Sequence, residues 1–206
     1  MEALTSSSTS IRSQSRAADM PSDDTLLGLF AQGDAAAARI LTDRLGPRCL
    51  SVAMRMLGNR AEAEDVTQDA MMRLWKVAPD WVSGQAKVST WLYRVTMNLC
   101  VDHLRKNKPD RLADVPEPED GSPSVAERMQ DEARKDALQL ALEQLPERQR
   151  QAVILRHIEE LPNPEIAGVM GISVEAVESL TARGKRALAG ILAGRREELG
   201  YDDDRR

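Results

Sequence analysis

Aromatic side chains are nearly absent: Phe, Trp and Tyr make up 3% of the 206 residues. A core built without them must rest on Leu, Ile, Val, Met and Ala. That composition favours helices over sheets, which draw on aromatic and β-branched side chains. Cysteine is scarce too. Cys49 and Cys100 cannot build a disulfide framework, so the chain suits a reducing cytosol. No apolar run approaches the roughly 18 residues of a bilayer-spanning helix, so no membrane insertion is expected. The two histidines, His103 and His157, are not spaced as a metal pair, and no phosphate loop or nucleophile motif accompanies them. No enzyme, cofactor or metal site is therefore expected. Positive charge is not in excess: the formal net charge is −5. That argues against a chain coated in nucleic acid, but a DNA reader needs only a local basic surface.

What is present is helical periodicity in two blocks. Residues 1–22, MEALTSSSTSIRSQSRAADMPS, are Ser/Thr-rich and read as a disordered tail. Its arginines and serines also suit a transit peptide, against which stand Glu2, Asp19 and the missing apolar face. From Ser22 the pattern turns helical, with Asp23 or Asp24 as cap and Leu26, Leu27 and Phe30 as apolar set. A second helix carries Ile40, Leu41 and Leu45. The Gly46-Pro47 pair predicts a break before a third helix with Leu50, Met54 and Leu57, which Gly58-Asn59 ends. A fourth begins near Ala61 with Val66, Ala70, Leu74 and Val77 on one stripe. Pro79 stops it, and after a polar loop a fifth spans about Ser89 to Lys106. Residues 109–134 are rich in Pro, Gly and acidic side chains at their start and read as a flexible acidic linker. The expectation is all-α: two small helical domains, 23–108 and 135–195, joined by that linker, with a short tail at 196–206.

The second block contains PNPEIAGVMGISVEAVESLTARGKRAL. A helix-turn-helix needs a small residue where the helices approach, supplied by Ala167, and a turn residue tolerant of positive φ, supplied by Gly171. Ile166, Met170, Ile172, Val177 and Leu188 can hold the pair together, and Ser173 can cap the second helix. That helix can enter a major groove with Glu175, Glu178, Ser179, Ala182, Arg183, Lys185 and Arg186 outward. Arg183 suits a guanine edge, because a guanidinium offers two parallel donors. Lys185 and Arg186 suit phosphate. Glu178 is discordant, since its carboxylate repels phosphate. A plain amphipathic hairpin with a solvated basic face is the blander alternative.

Two faces of the first block stand out. The fourth helix presents Glu62, Asp65, Gln68, Asp69 and Met72 opposite its apolar stripe. That is either a protein surface or an ordinary solvated face, and composition alone favours the latter. The fifth helix, STWLYRVTMNLCVDHLRKNK, mixes Trp91 and Tyr93 with Arg94, Asn98, Arg105, Lys106 and Lys108. Rings beside cations and amides suit unstacked bases. Trp91 and Tyr93 can equally be core.

AEDVTQDAMMRLWK followed by STWLYRVTMNLCVDHLRK resembles region 2 of bacterial sigma-70 factors. LEQLPERQRQAVILRHIEELPNPEIAGVMGISVEAVESLTARGKRAL resembles region 4. Two such blocks in this order resemble the extracytoplasmic function (group 4) subfamily, over about residues 23–108 and 135–195. The resemblance implies a factor that binds core RNA polymerase and directs promoter-specific initiation. It implies that Asp65, Gln68, Asp69 and Met72 dock on the β′ clamp helices, so that the acidic face is a binding surface after all. Lys87, Thr90, Trp91, Arg94, Asn98, Arg105 and Lys106 would read and open the −10 element. Arg148, Ser179, Ala182, Arg183, Lys185 and Arg186 would meet the −35 element, with region 4 near the β flap. An anti-sigma partner and a cytoplasmic site of action are likewise implied. Glu178 and the small Ala182 depart from the usual pattern and leave the −35 sequence open. Two competing functions are a sigma mimic that titrates an anti-sigma factor, and an ordinary helix-turn-helix repressor or activator. The cysteines are read as small buried hydrophobes rather than redox sensors.

Overall fold

The structure is a computed structural model that describes residues 21–106 and 125–194, with the backbone alone for 125–132. The described residues form helices and no strand. Five helical segments in the first block were expected; four α-helices form. Helix α1 is Asp23–Ala31, α2 is Ala35–Leu57, α3 is Arg60–Val77 and α4 is Val88–Lys106, with a short 3-10 turn, Ala78–Asp80, at Pro79. The second unit comprises α5, Val125–Glu143; α6, Glu147–Val153, continued by a π turn, Ile154–Ile158; α7, Asn163–Met170; and α8, Val174–Ala193.

Local chemistry sets most boundaries. Ser22, rather than Asp23 or Asp24, caps α1 by accepting from the Thr25 amide, leaving the two carboxylates in the first turn where the helix dipole favours them. Asp34 accepts from the amides of Ala36 and Ala37 and opens α2. Gly58 closes α2 at φ 73°, and Asn59 begins α3 by accepting from the Glu62 amide. The Gly46-Pro47 pair does not break α2. Leu41, Leu45, Cys49, Val52 and Met56 form one buried stripe through it, while Pro47 lies on the exposed side. The carbonyl it leaves without an amide, that of Asp43, can take water there, so packing outweighs the proline. Helix α5 also starts at Val125, inside the stretch read as linker. Its first residues, VAERMQDEARK, lack a clear apolar stripe but are strong helix formers.

Two apolar clusters hold the molecule. One, wholly in the first unit, joins Leu26, Leu27, Leu41, Leu45, Met71, Leu74 and Leu92. The other crosses between units. Val52, Met56, Met97, Cys100 and Val101 meet Leu142, Leu145, Ile154, Ile166 and Val169 in a single buried cluster. The two small helical domains expected from the sequence are both present, and among the described residues they also share a core, with α4 packed against α2, α3 and α7.

Polar groups stitch the same seam. The last carbonyls of a helix lack intrahelical partners. At the end of α2, Met54 O accepts from the Gly58 amide at 2.8 Å. The next two carbonyls are met by the second unit. Arg55 O accepts from Gln139 Nε2 at 3.4 Å, and Met56 O from Arg150 Nη1 at 2.9 Å. The buried Arg150 also donates through Nη2 to Glu143 O, the end of α5, at 2.7 Å. One guanidinium therefore bridges two helix C-termini, where a cation is favoured.

Within the second unit, Gly171 turns α7 into α8 at φ 64° and Ser173 caps α8 through the Ala176 amide. The tightest approach is elsewhere, at Gly184: a Cβ there would stand 2.6 Å from Val153 Cγ2 and 3.1 Å from Gln149 O. Gly184→Ala gains up to about 1 kcal/mol of helix propensity but overpacks a closed contact, at a cost of about 1–3 kcal/mol. We expect a lower urea midpoint for this variant, measured by circular dichroism.

Burial pushes the Cys49 thiol up to about 11 and Cys100 up to about 12. A raised folded-state pKa stabilises the fold below the unfolded thiol pKa, near 9.0, and that contribution is lost as pH rises through the folded values. Both thiols should resist a thiol reagent at pH 8 in the native chain and react at once in urea, and stability should fall between about pH 9 and 12.

Candidate nucleic-acid interface

Three surfaces carry the candidate residues. On α3, Ala63, Val66, Ala70 and Leu74 are buried, so the helical repeat turns Asp65, Gln68, Asp69 and Met72 outward together. Met72 is 61% exposed, a large apolar side chain set in water among carboxylates. Asp69 is not bare: Arg73 donates to it through Nη2 at 3.1 Å and Nε at 3.4 Å. Such an exposed pair contributes about 0–1 kcal/mol, little enough for a partner to displace. Glu62 pairs instead with His103 Nε2 at 3.0 Å, tying α3 to α4.

The second surface runs along α4. Lys87, Thr90, Arg94 and Asn98 follow one another at helical spacing, and all but the half-buried Thr90 are exposed. Trp91 is half-buried and meets Trp81 edge-on, with ring centroids 6.0 Å apart. Trp81 is itself fixed, its indole donating to Asp24 Oδ1 at 2.8 Å. Arg105 and Lys106 stand exposed at the end of α4. Tyr93 points the other way. It is buried, and its hydroxyl donates to Glu159 Oε2 at 2.8 Å. Burial, then the Glu159 charge, raises its pKa well above the ordinary tyrosine value. Tyr93 is thus part of the seam between units, not a platform for bases.

The third surface is the outer face of α8. Ser179, Ala182, Arg183, Lys185 and Arg186 are all exposed. Arg183 Nε lies along its own helix on Ser179 O at 3.2 Å, and Arg186 Nε on Ala182 O at 3.4 Å. Arg148 reaches Met170 O at 3.5 Å, beside the turn. Positive potential gathers here: burial lowers the His157 pKa, and Lys185 and Arg156 lower it further. The discordant carboxylates are partly engaged. Glu178 Oε1 accepts from Asn163 Nδ2 at 3.4 Å. Backbone and Ser173 hydrogen bonds lower the Glu175 pKa.

The structure keeps these three sets on separate elements and adds a relation the sequence did not suggest. Part of the α4 face looks onto α7. Lys87 pairs with Glu165. A Cβ on Gly168 would lie 3.5 Å from Thr90 Cγ2, and one on Gly171 would lie 3.2 Å from Arg94 Nη2. Asn98, Arg105 and Lys106 have no such neighbour described. Sequence reasoning also missed Gln139, Arg150 and Glu159. Arg150 left one signal: it falls on the apolar side of α6, three residues before the buried Val153.

Comparison with known proteins agrees with this layout. Residues 41–109 match the family model for Sigma-70 region 2, and residues 135–188 that for Sigma-70 region 4. The ECF RNA polymerase sigma factor SigW of Bacillus subtilis is 32% identical over 175 residues, covering 76% of this chain and 89% of SigW. SigE of Mycolicibacterium smegmatis is 34% identical over 182 residues, covering 84% of this chain and 70% of SigE. Among solved structures, CnrH in complex with the cytosolic domain of CnrY superposes with a TM-score of 0.65 at 27% identity, over 84% of this chain and 97% of CnrH. RpoE of Bartonella quintana, solved with the anti-sigma factor NepR, gives a TM-score of 0.60 over 75% of this chain and 96% of RpoE; at 19% identity it shows the fold alone. With two regional matches in order and relatives above 30% identity along most of their length, the chain belongs to the extracytoplasmic function sigma factors of the sigma-70 family.

Proposed function

We propose that the chain binds core RNA polymerase in the bacterial cytoplasm through the acidic face of α3 and directs initiation at promoters with paired −35 and −10 elements. The observation that carries this reading is the separation of opposite charges on one chain. A Met72-bearing acidic face and a basic helix-turn-helix face stand exposed on different elements. In this reading residues 23–108 form region 2, 135–195 form region 4, and 109–134 link them. Linking two weak DNA readers raises the effective concentration of the second once the first is bound. The chain supplies no covalent chemistry of its own. Strand opening loses about 1–2 kcal/mol of stacking per base-pair step, offset by capture of unstacked bases along Lys87, Thr90, Trp91, Arg94 and Asn98 and by the polymerase. Arg105 and Lys106 extend the cationic track for the backbone. On the −35 side, Arg183, with Ser179 and Ala182, faces bases, while Arg148, Lys185 and Arg186 grip phosphate. An anti-sigma factor is the expected antagonist.

Transcript starts mapped after overproduction, followed by run-off transcription with purified core polymerase, test the reading. A promoter-specific transcript that needs both components supports it. None at all would leave a mimic that titrates an anti-sigma factor. A gel shift on the mapped promoter should show weak binding by the free chain and tight binding with polymerase. The reverse would indicate an ordinary repressor or activator.

Asp65→Ala with Asp69→Ala should lower affinity for core polymerase about tenfold, which is about 1.4 kcal/mol, with the melting temperature unchanged because both side chains are at the surface. Fluorescence anisotropy with labelled chain would read the affinity. Arg183→Ala should weaken the holoenzyme's hold on the upstream element by about 1–3 kcal/mol and relax its preference at one base pair. Binding assays across single-base promoter variants would check that loss of selectivity.

A further inference from the structure

The outer face of α8 carries opposite charges on its two halves. Glu175 and Glu178 stand in the first half, and Arg183, Lys185 and Arg186 in the second, all exposed. Helices that enter a major groove set their N-terminal residues against base edges, so the acidic half belongs to the reading surface. Glu175 has a local task. Hydrogen bonds with Ser173 and with its own amide draw its carboxylate back onto the start of the helix. Glu178 is placed differently. It stands past the first turn, where the helix dipole no longer favours an acid. The residues one turn away from it on α8 are Val174, Glu175, Thr181 and Ala182, so the helix offers it no cation at pairing distance. Among the described residues its hydrogen-bond partner is the Asn163 amide at 3.4 Å, a neutral donor at the start of α7 that leaves the charge in place. Ala182, the next outward residue on the same strip, is small and leaves the carboxylate room to reach forward.

We propose that Glu178 is a specificity-determining residue that reads the amino group of a cytosine in the upstream promoter element. The proposal rests on the sigma-factor reading for placing α8 in the groove, and it names what the helix selects there. A carboxylate only accepts hydrogen bonds. In the major groove guanine shows the acceptors N7 and O6, thymine shows O4 and a methyl group, and adenine sets N7 beside its amino group. Cytosine alone shows a donor with no acceptor on the same base edge. Phosphate repels the same charge, so the contact with cytosine does little more than offset the cost of bringing a carboxylate into the groove. Its effect is on choice. Opposite any other base the carboxylate loses water without gaining a matched donor, which penalises the wrong sequence. Glu178 thus adds selectivity with little affinity, while Arg183, Lys185 and Arg186 supply the attraction.

Holoenzyme assembled from core polymerase and the full-length chain tests this, bound to the mapped promoter and to every single-base variant of its upstream element. The wild type should prefer cytosine at one position by about fivefold or more over each other base, the discrimination of one good base contact. Glu178→Ala should abolish that preference and leave the other positions unchanged. Affinity for the parent promoter should change less than about threefold, because the lost contact and the lost repulsion offset. Glu178→Gln should move the preference to adenine, since an amide matches both N6 and N7. Both variants should keep the wild-type melting temperature, the side chain being exposed. An unchanged preference profile in Glu178→Ala would overturn the proposal. So would an equal gain of affinity on every variant, the mark of a carboxylate that only repels phosphate. If polymerase confers no promoter-specific binding, the sigma reading fails instead. Selection of random duplexes by the free chain at low salt then decides the role of Glu178: a cytosine enriched by the wild type and not by Glu178→Ala upholds it, and no such cytosine overturns it.

Discussion

The end of α2 is the constraint on which the arrangement turns. A helix that stops inside a protein leaves carbonyls that must find donors, and each one buried without a partner costs about 1–3 kcal/mol. Gly58 bends the chain sharply enough to satisfy Met54 O from its own amide, and the second unit supplies donors to Arg55 O and Met56 O through Gln139 and Arg150. Because Arg150 also holds the end of α5, one side chain fixes the position of the second unit relative to the first. The glycine helps in a further way. A Cβ at Gly58 would meet the Glu143 carboxylate and the Gln139 amide, so side chains of α5 pack directly over the αL turn.

From that anchor the rest follows in layers. Once α5 and α6 are set on the end of α2, the π turn brings Glu159 opposite Tyr93, and α7 is laid along α4. Glu159 also ends that turn by donating its amide back to Ile154 O at 3.1 Å, the five-residue spacing of a π turn. Helix α8 then crosses over α6 at Gly184, with its basic side chains turned away from the seam. The acidic and basic faces are therefore separated by the packing itself. The acidic face of α3 and the basic face of α8 remain outside, and the α4 face lies partly within.

The sequence made most helices legible because their boundaries have local causes. Gly58 and Gly171 as left-handed stops and Ser173 as a cap were readable directly, whereas Ser22 takes the cap expected of Asp23 or Asp24, and Asp34 and Asn59 cap helices they were read only as interrupting or ending. The helix-turn-helix was readable for the same reason. The outward positions of α3 and α8 followed from a repeat that buries Val66, Ala70 and Leu74 on one helix and Val177 on the other. What failed was reading long-range effects from short-range signals. Pro47 marks a break locally, yet the buried stripe from Leu41 to Met56 continues through it. The seam was illegible because its members are ordinary in isolation. Arg150 is one arginine among several, Glu159 and Glu165 look like surface carboxylates, and Gly168 is a glycine in a helix. Only the fold puts Glu165 beside Lys87 and Glu159 beside Tyr93, across 78 and 66 residues of sequence.

The seam between the two units is built largely from polar partners that water can replace. Its polar members are backbone carbonyls at helix ends, two carboxylates, a phenol, an amide, an ammonium and a guanidinium. Each regains hydrogen bonds in solvent when the units part. Exposed pairs such as Lys87 with Glu165 contribute little net stability. The main cost of opening is the apolar surface of Met56, Met97, Leu142 and Ile166, at about 25 cal/mol per Å² re-exposed. Each unit retains apolar contacts of its own, since Leu26, Leu41 and Leu74 pack only within the first cluster and Val177 meets Ile166 within the helix-turn-helix unit. Opening therefore asks for the loss of one interface rather than of either fold.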